Sequence, residues 1–188
     1  MLKSSHTSDL LIIMNETLRT VFLVFFGSHI PITLCLDMQA VFGEYYPTPI
    51  RSFFLWYATS FLDGGDPLMD PNRGVGTKAW LESFIVCETL FQLPFFFFAV
   101  HYLYNRKEDD IKFTVWALVY GVHVASTVIP IEATLLLEYD ISVQQRATLM
   151  AIYAPYLIIP AMLAWWAGTT LLALANNAQK KKKTKKMM

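Results

Sequence analysis

A carboxylic acid and an amide sit inside one of the most apolar stretches of this chain. In WLESFIVCETLFQLPFFFFAVHYLY, residues 80–104, Glu88 and Gln92 are four positions apart and so share one face of a helix. A carboxyl group near the centre of a membrane helix costs about 2.5 kcal/mol or more, so it normally faces protein or a wet cavity. Asp37 closes an earlier apolar stretch, Thr127 and Glu132 lie in a third, and Tyr153 and Tyr156 in a fourth. Two carboxyls brought together in low dielectric do not both ionise readily. This supports a protonated Glu88 donating a hydrogen bond to an ionised Asp37, which is then free to pair with a cationic ligand.

The elements that must position these groups are membrane spans. About 20 residues at roughly 1.5 Å each cross a hydrocarbon core of about 30 Å. The chain has 188 residues, 55% of them of hydrophobic types, and its mean hydropathy is +0.40. Spans are expected at 18–37, 80–104, 113–137 and 147–175, preceded by a polar segment 1–17 and followed by a lysine-rich tail 176–188. Short links and one long one predict an all-α four-helix bundle with antiparallel neighbours. The long link, 39–79, begins with aromatic residues suited to short interfacial helices and ends in a turn-rich DGGDPLMDPNRGVGTK. Each span carries proline (Pro31, Pro94, Pro130, Pro155 and Pro160), which predicts kinked helices splayed around a cavity. Cys35 and Cys87 both fall in spans and read as small core residues, with no disulfide framework.

Counting Lys and Arg orients the bundle. With both termini cytosolic, that side holds eleven (Lys3, Arg19, Arg106, Lys107, Lys112 and six tail lysines), against four on the other. The sequon Asn15-Glu16-Thr17 is then cytosolic and unmodified. Glu88 lies eight positions in from the lumenal end of its span, about 12 Å deep. Asp37, Thr127, Glu132, Tyr153 and Tyr156 also fall in lumenal halves. The expected site is therefore a lumenal-half cavity, lined by apolar side chains with a few polar anchors. Lys185 and Lys186 stand fourth and third from the end, the spacing of a dilysine retrieval signal for endoplasmic-reticulum membrane proteins; a basic anchor for anionic lipid is the alternative. His29 and His123 read as packed histidines bonded to helix carbonyls. No HExxH, CxxC or Gly-rich phosphate loop is present, so the sequence points to no metal and no cofactor. The lysine tail is too short and isolated to suggest nucleic acid.

The segments SHIPITLCLDMQAVF (28–42), FFLWYATSF with DPLM (53–61, 66–69), FIVCETLFQLPFFFFAVHY (84–102), VHVASTVIPI (122–131) and YAPYLIIP (153–160) resemble the EXPERA family. Within it they are more similar to the sigma-2 receptor branch than to the emopamil-binding sterol isomerases. The resemblance runs from about residue 20 to residue 165 and covers all four spans. It implies an endoplasmic-reticulum membrane protein, usually dimeric, whose cavity binds sterols and hydrophobic amines. It also implies that Asp37 is the ligand-pairing aspartate, Glu88 the buried glutamate and Asp66 a structurally important acid, with Gln92, Thr127 and Tyr156 near the cavity. Two extra glycines before Asp66, a shortened link after the third span, and Glu132 at an apolar position depart from the receptor pattern; Glu132 is expected as an additional cavity carboxyl. The function expected is non-enzymatic binding of a sterol-like lipid that influences its intracellular distribution. A sterol double-bond isomerase and an adaptor that stabilises membrane-protein clients are the alternatives.

Overall fold

The computed structural model describes residues 14–61, 64–71 and 79–186. The chain forms α1 (Glu16–Tyr45), α2 (Thr48–Ser60), α3 (Ala79–Tyr104), α4 (Ile111–Leu137) and α5 (Val143–Lys186). All but α2 are long and apolar enough to cross a membrane, and among the described residues there is no strand. The four spans alternate in direction. Glu16, Tyr104 and Ile111 lie at one end, here the near end, and Tyr45, Ala79, Leu137 and Val143 at the other, the far end.

Polar residues fix both ends. Asn15 caps α1, its side chain accepting from Leu18 N–H at 2.8 Å, and Asp110 caps α4 by accepting from Lys112 N–H at 2.9 Å. Glu16 pairs with Arg19 and Arg106, while Arg19 also donates to Leu103 O at 3.0 Å, so α1 and α3 are clasped at the near end. At the far end the Arg146 guanidinium reaches the carbonyls of Leu135, Leu136 and Tyr139. The Leu135 and Leu136 carbonyls are acceptors that the C-terminus of α4 leaves without helical partners.

The spans form two close pairs. α4 packs along α5, and α1 packs on the near half of α3; contact between the pairs is sparse. Gly121 permits the α4–α5 approach, because a Cβ there would lie 2.9 Å from both the backbone nitrogen and the Cβ of Ala164. In the near half the pairs are joined by buried aromatics, among them Phe22, Phe26, Phe96, Phe113 and Tyr120, with the Tyr120 ring stacked on Phe95 at 4.4 Å. In the far half the shared core is smaller: Leu81 and Ile85 of α3 meet Leu135 of α4 and Leu149 of α5 in one cluster with Leu68, and Phe54 and Ala58 of α2 form another with Met69.

α2 and residues 64–71 make a lid over the far end. Gly65 allows the reversal: its φ is +70°, and a Cβ would strike the Ala58 carbonyl. Gly65 N–H donates to Phe61 O at 2.6 Å and Asp66 N–H to Ala58 O at 3.1 Å, folding Asp66 back beneath α2.

Three expectations change. α1 runs on to Tyr45, past the Asp37 at which a span was expected to end. α5 begins at Val143 and remains helical to Lys186, since neither Gly nor Pro follows Gly168 to stop it. The cysteines are not core residues: Cys35 is half-buried and Cys87 exposed. Glu88 faces inward, and its neighbour is turned about 100° away on the helix. The short helix expected in the long link is α2; the end of that link, 72–78, lies outside the described residues.

Candidate functional site

Both carboxyl-bearing spans widen at the carboxyl. Thr33–Asp37 in α1 and Glu88–Gln92 in α3 are π-helical. Met38 N–H donates to Thr33 O at 3.1 Å and Leu93 N–H to Glu88 O, each reaching five residues back instead of four. A proline sits beside each segment, Pro31 before the first and Pro94 after the second. Lacking an N–H, it removes the ordinary helical bond at that turn and leaves the backbone free to rewind. Widened turns of this kind recur where side chains must be aimed at a site.

The two widened turns face one another. Thr33 Oγ1 donates to Glu88 Oε1 at 2.5 Å, and His29 Nε2 lies 3.4 Å from the same oxygen. The Asp37 and Glu88 carboxyls face one another at close range, and two acids so placed in low dielectric do not both ionise, so the pair holds a proton. One nitrogen of His29 and one oxygen from each acid fall within 4.8 Å of one another, close enough to surround a single cation. The His29 ring is 5% exposed, stacked on Phe96 at 4.6 Å and edge-on to Tyr156 at 4.7 Å. The polar cluster thus sits where the near-half aromatic core ends.

From that cluster a cavity of about 290 Å³ extends toward the far end. Of the residues predicted from sequence, Asp37, Glu88, Gln92, Thr127, Tyr153 and Tyr156 all line it. Most of its remaining wall is aliphatic or aromatic, including Leu36, Phe84, Ile85, Val128 and Ile131. Glu132 is not among the lining residues, a correction to the expected extra cavity carboxyl. Val124, Thr127, Val128 and Ile131 form the inward stripe of α4, and the next residue is rotated off it. Its Oε2 is buried without a hydrogen-bond partner among the described residues.

Asp66 does not line the cavity; it holds two residues that do. Fully buried, it accepts from Leu68 N–H at 2.9 Å through Oδ1, and from Tyr57 OH at 3.1 Å and Tyr153 OH at 2.7 Å through Oδ2. The lid helix and the last span are therefore tied through one carboxylate. Burial first, and then neighbouring Asp66, pushes the Tyr57 phenol well above its usual range. Gln145 adds a second tie, donating to Gly65 O at 2.9 Å.

Sequence reasoning missed Thr33 and Tyr57 and ranked His29 as mere packing. The signal for two of them was there: His29, Thr33 and Asp37 are spaced by four and share one helix face. His123 is not in the cavity wall; it meets Phe91 edge-on at 5.4 Å.

Four spans, paired two and two around a cavity holding a carboxyl pair, define a multi-pass membrane protein. Residues 49–167 match the model of the EXPERA family, the expanded EBP superfamily. The chain is 40% identical over 153 residues to the sigma intracellular receptor 2 of Homo sapiens, covering 74% of this chain and 81% of that protein. It is 36% identical over 155 residues to the Xenopus tropicalis receptor of the same name, covering 78% and 85%. It is 26% identical over 157 residues to the efficient mitochondria targeting-associated protein 19 of Saccharomyces cerevisiae, covering 77% and 93%. The chain belongs to the EXPERA family, and within it is sigma-2 receptor-like.

Proposed function

We propose that this protein binds sterols and hydrophobic amines in the cavity between its two helix pairs, and so influences the intracellular distribution of sterol-like lipid. The observation that carries the reading is the Asp37–Glu88 carboxyl pair, set in an otherwise largely apolar chamber within the membrane-spanning bundle. Apolar contact supplies most of the affinity, at about 25 cal/mol per Å² buried. The two carboxyls share one proton, Glu88 Oε1 accepts from Thr33, and the negative charge that the pair retains meets an ammonium group or accepts from a hydroxyl. The residence proposed is the endoplasmic-reticulum membrane, with both termini cytosolic and Lys185 and Lys186 serving retrieval. Lipid mass spectrometry on gently purified protein tests the reading. Wild type is expected to carry a sterol-like lipid that Asp37→Asn has lost, and equal occupancy in both would contradict it.

His29 favours a second reading. With a ring nitrogen 3.4 Å from Glu88, the cluster has the parts of a proton relay, so a sterol double-bond isomerase is the enzymatic alternative: an acid protonates the alkene and a neighbouring base removes a proton. Conversion of a Δ8-sterol by purified protein, lost in Glu88→Gln, would establish it. An adaptor for membrane-protein clients, a role in keeping with the yeast relative's name, predicts instead that cavity variants keep their partners.

A further inference from the structure

The hydroxyl groups in the cavity wall do not all have a proton to offer. Tyr57 and Tyr153 both direct their O–H to Asp66 Oδ2, at 3.1 and 2.7 Å. Thr127 directs its own to Val124 O at 3.0 Å. Each of these oxygens can therefore present only lone pairs to a bound molecule. Donors lie elsewhere: Gln92 is one turn nearer the aromatic core than Glu88, and Tyr156 packs against Phe25 and His29.

We infer that the far half of the cavity selects ligands that bring a hydrogen-bond donor, so that a sterol alcohol binds in preference to the corresponding ketone. Tyr57, Tyr153 and Thr127 set this specificity, and Asp66 is the positioning residue that commits the two phenol protons. The inference rests on the sterol-binding reading above and narrows its ligand class to alcohols and protonated amines. A ketone placed there faces acceptors with an acceptor, and its oxygen is desolvated without a partner. Sites built around such pairing discriminate more strongly than apolar pockets that differ by a methylene.

The test uses full-length protein in nanodiscs and two probes that differ only at the 3-oxygen, tritiated 5α-cholestan-3β-ol and unlabelled 5α-cholestan-3-one as competitor. Wild type is expected to bind the alcohol at least about tenfold more tightly than the ketone. Tyr153→Phe deletes one acceptor, so the alcohol should weaken while the ketone is unchanged, and the ratio should shrink. Asp66→Asn supplies an amide N–H to one phenol oxygen, turning that phenol's proton toward the cavity, so the ketone should gain. Equal binding of both probes by wild type, tighter binding of the ketone, or an unaltered ratio in Tyr153→Phe would overturn the inference. Tyr153→Phe carries the test alone if Asp66→Asn does not fold. Binding of neither probe would instead bring down the sterol-binding reading itself, an outcome distinct from equal binding of both.

Discussion

Thr33 on α1 and Glu88 on α3 meet at 2.5 Å, each within a turn that has unwound from α to π geometry. Two spans that deform at the same level, each beside a proline, bring the Asp37 and Glu88 carboxyls together. A pair of straight helices would not aim both acids into one cavity.

Replacing Thr33 by valine keeps the side-chain shape and removes that hydrogen bond. One such bond is worth about 1 kcal/mol net to the folded state, so the melting midpoint should fall by roughly 2–4 °C. Affinity for a hydrophobic amine should fall as well, because Glu88 loses the contact that aims it. Saturation binding beside a melting curve on the same preparation checks both.

The lid depends on a left-handed residue. Gly65→Ala should destabilise the protein by about 1–2 kcal/mol from the positive φ alone, and by more because the new methyl meets the Ala58 carbonyl. Heat denaturation in detergent reads this as a lowered midpoint. Ligand affinity should fall with it, because displacement of Asp66 releases Tyr57 and Tyr153.

Alkaline pH probes the same tie. The Tyr57 phenol is held neutral in the folded protein by burial and by Asp66, whereas an unfolded tyrosine ionises near pH 10. Above that pH the unfolded state binds fewer protons than the folded one, so stability falls as pH rises. Tyr57→Phe should flatten part of the fall between about pH 9.5 and 11, measured as the shift in melting midpoint.

Topology makes its own prediction. Asn15 is the N-cap of α1 at the near end, beside the charged link between α3 and α4 that carries Arg106 and Lys107. Translated into microsomes, the natural sequon should stay unmodified, whereas a sequon engineered into the far-end link 138–142 should acquire glycan. Glycan on Asn15 would invert the proposed orientation.

The four spans could be read from the sequence because length and hydropathy alone decide whether a helix crosses a bilayer. So could the cavity's polar members, since Glu88 and Gln92 share a face and a buried carboxyl needs a partner. The π turns could not, because shifting a hydrogen bond from four residues to five changes no side chain. Asp66 was recognisable only through family resemblance: its partner Tyr153 is 87 residues away, and no local pattern links them. Glu132 was misplaced because depth along a helix is easily counted, whereas its rotation relative to neighbouring helices depends on how they pack.

If Asp37 and Glu88 form the polar anchor of a ligand cavity, affinity must depend on both carboxyls. Equilibrium binding of a hydrophobic amine to purified wild type, Asp37→Asn and Glu88→Gln tests it most directly. Loss of one partner from a buried charged pair should weaken binding about thirtyfold or more in Asp37→Asn, with a smaller loss in Glu88→Gln, whose amide can still donate to Asp37. Undiminished affinity in both variants, with the fold intact, would contradict the account.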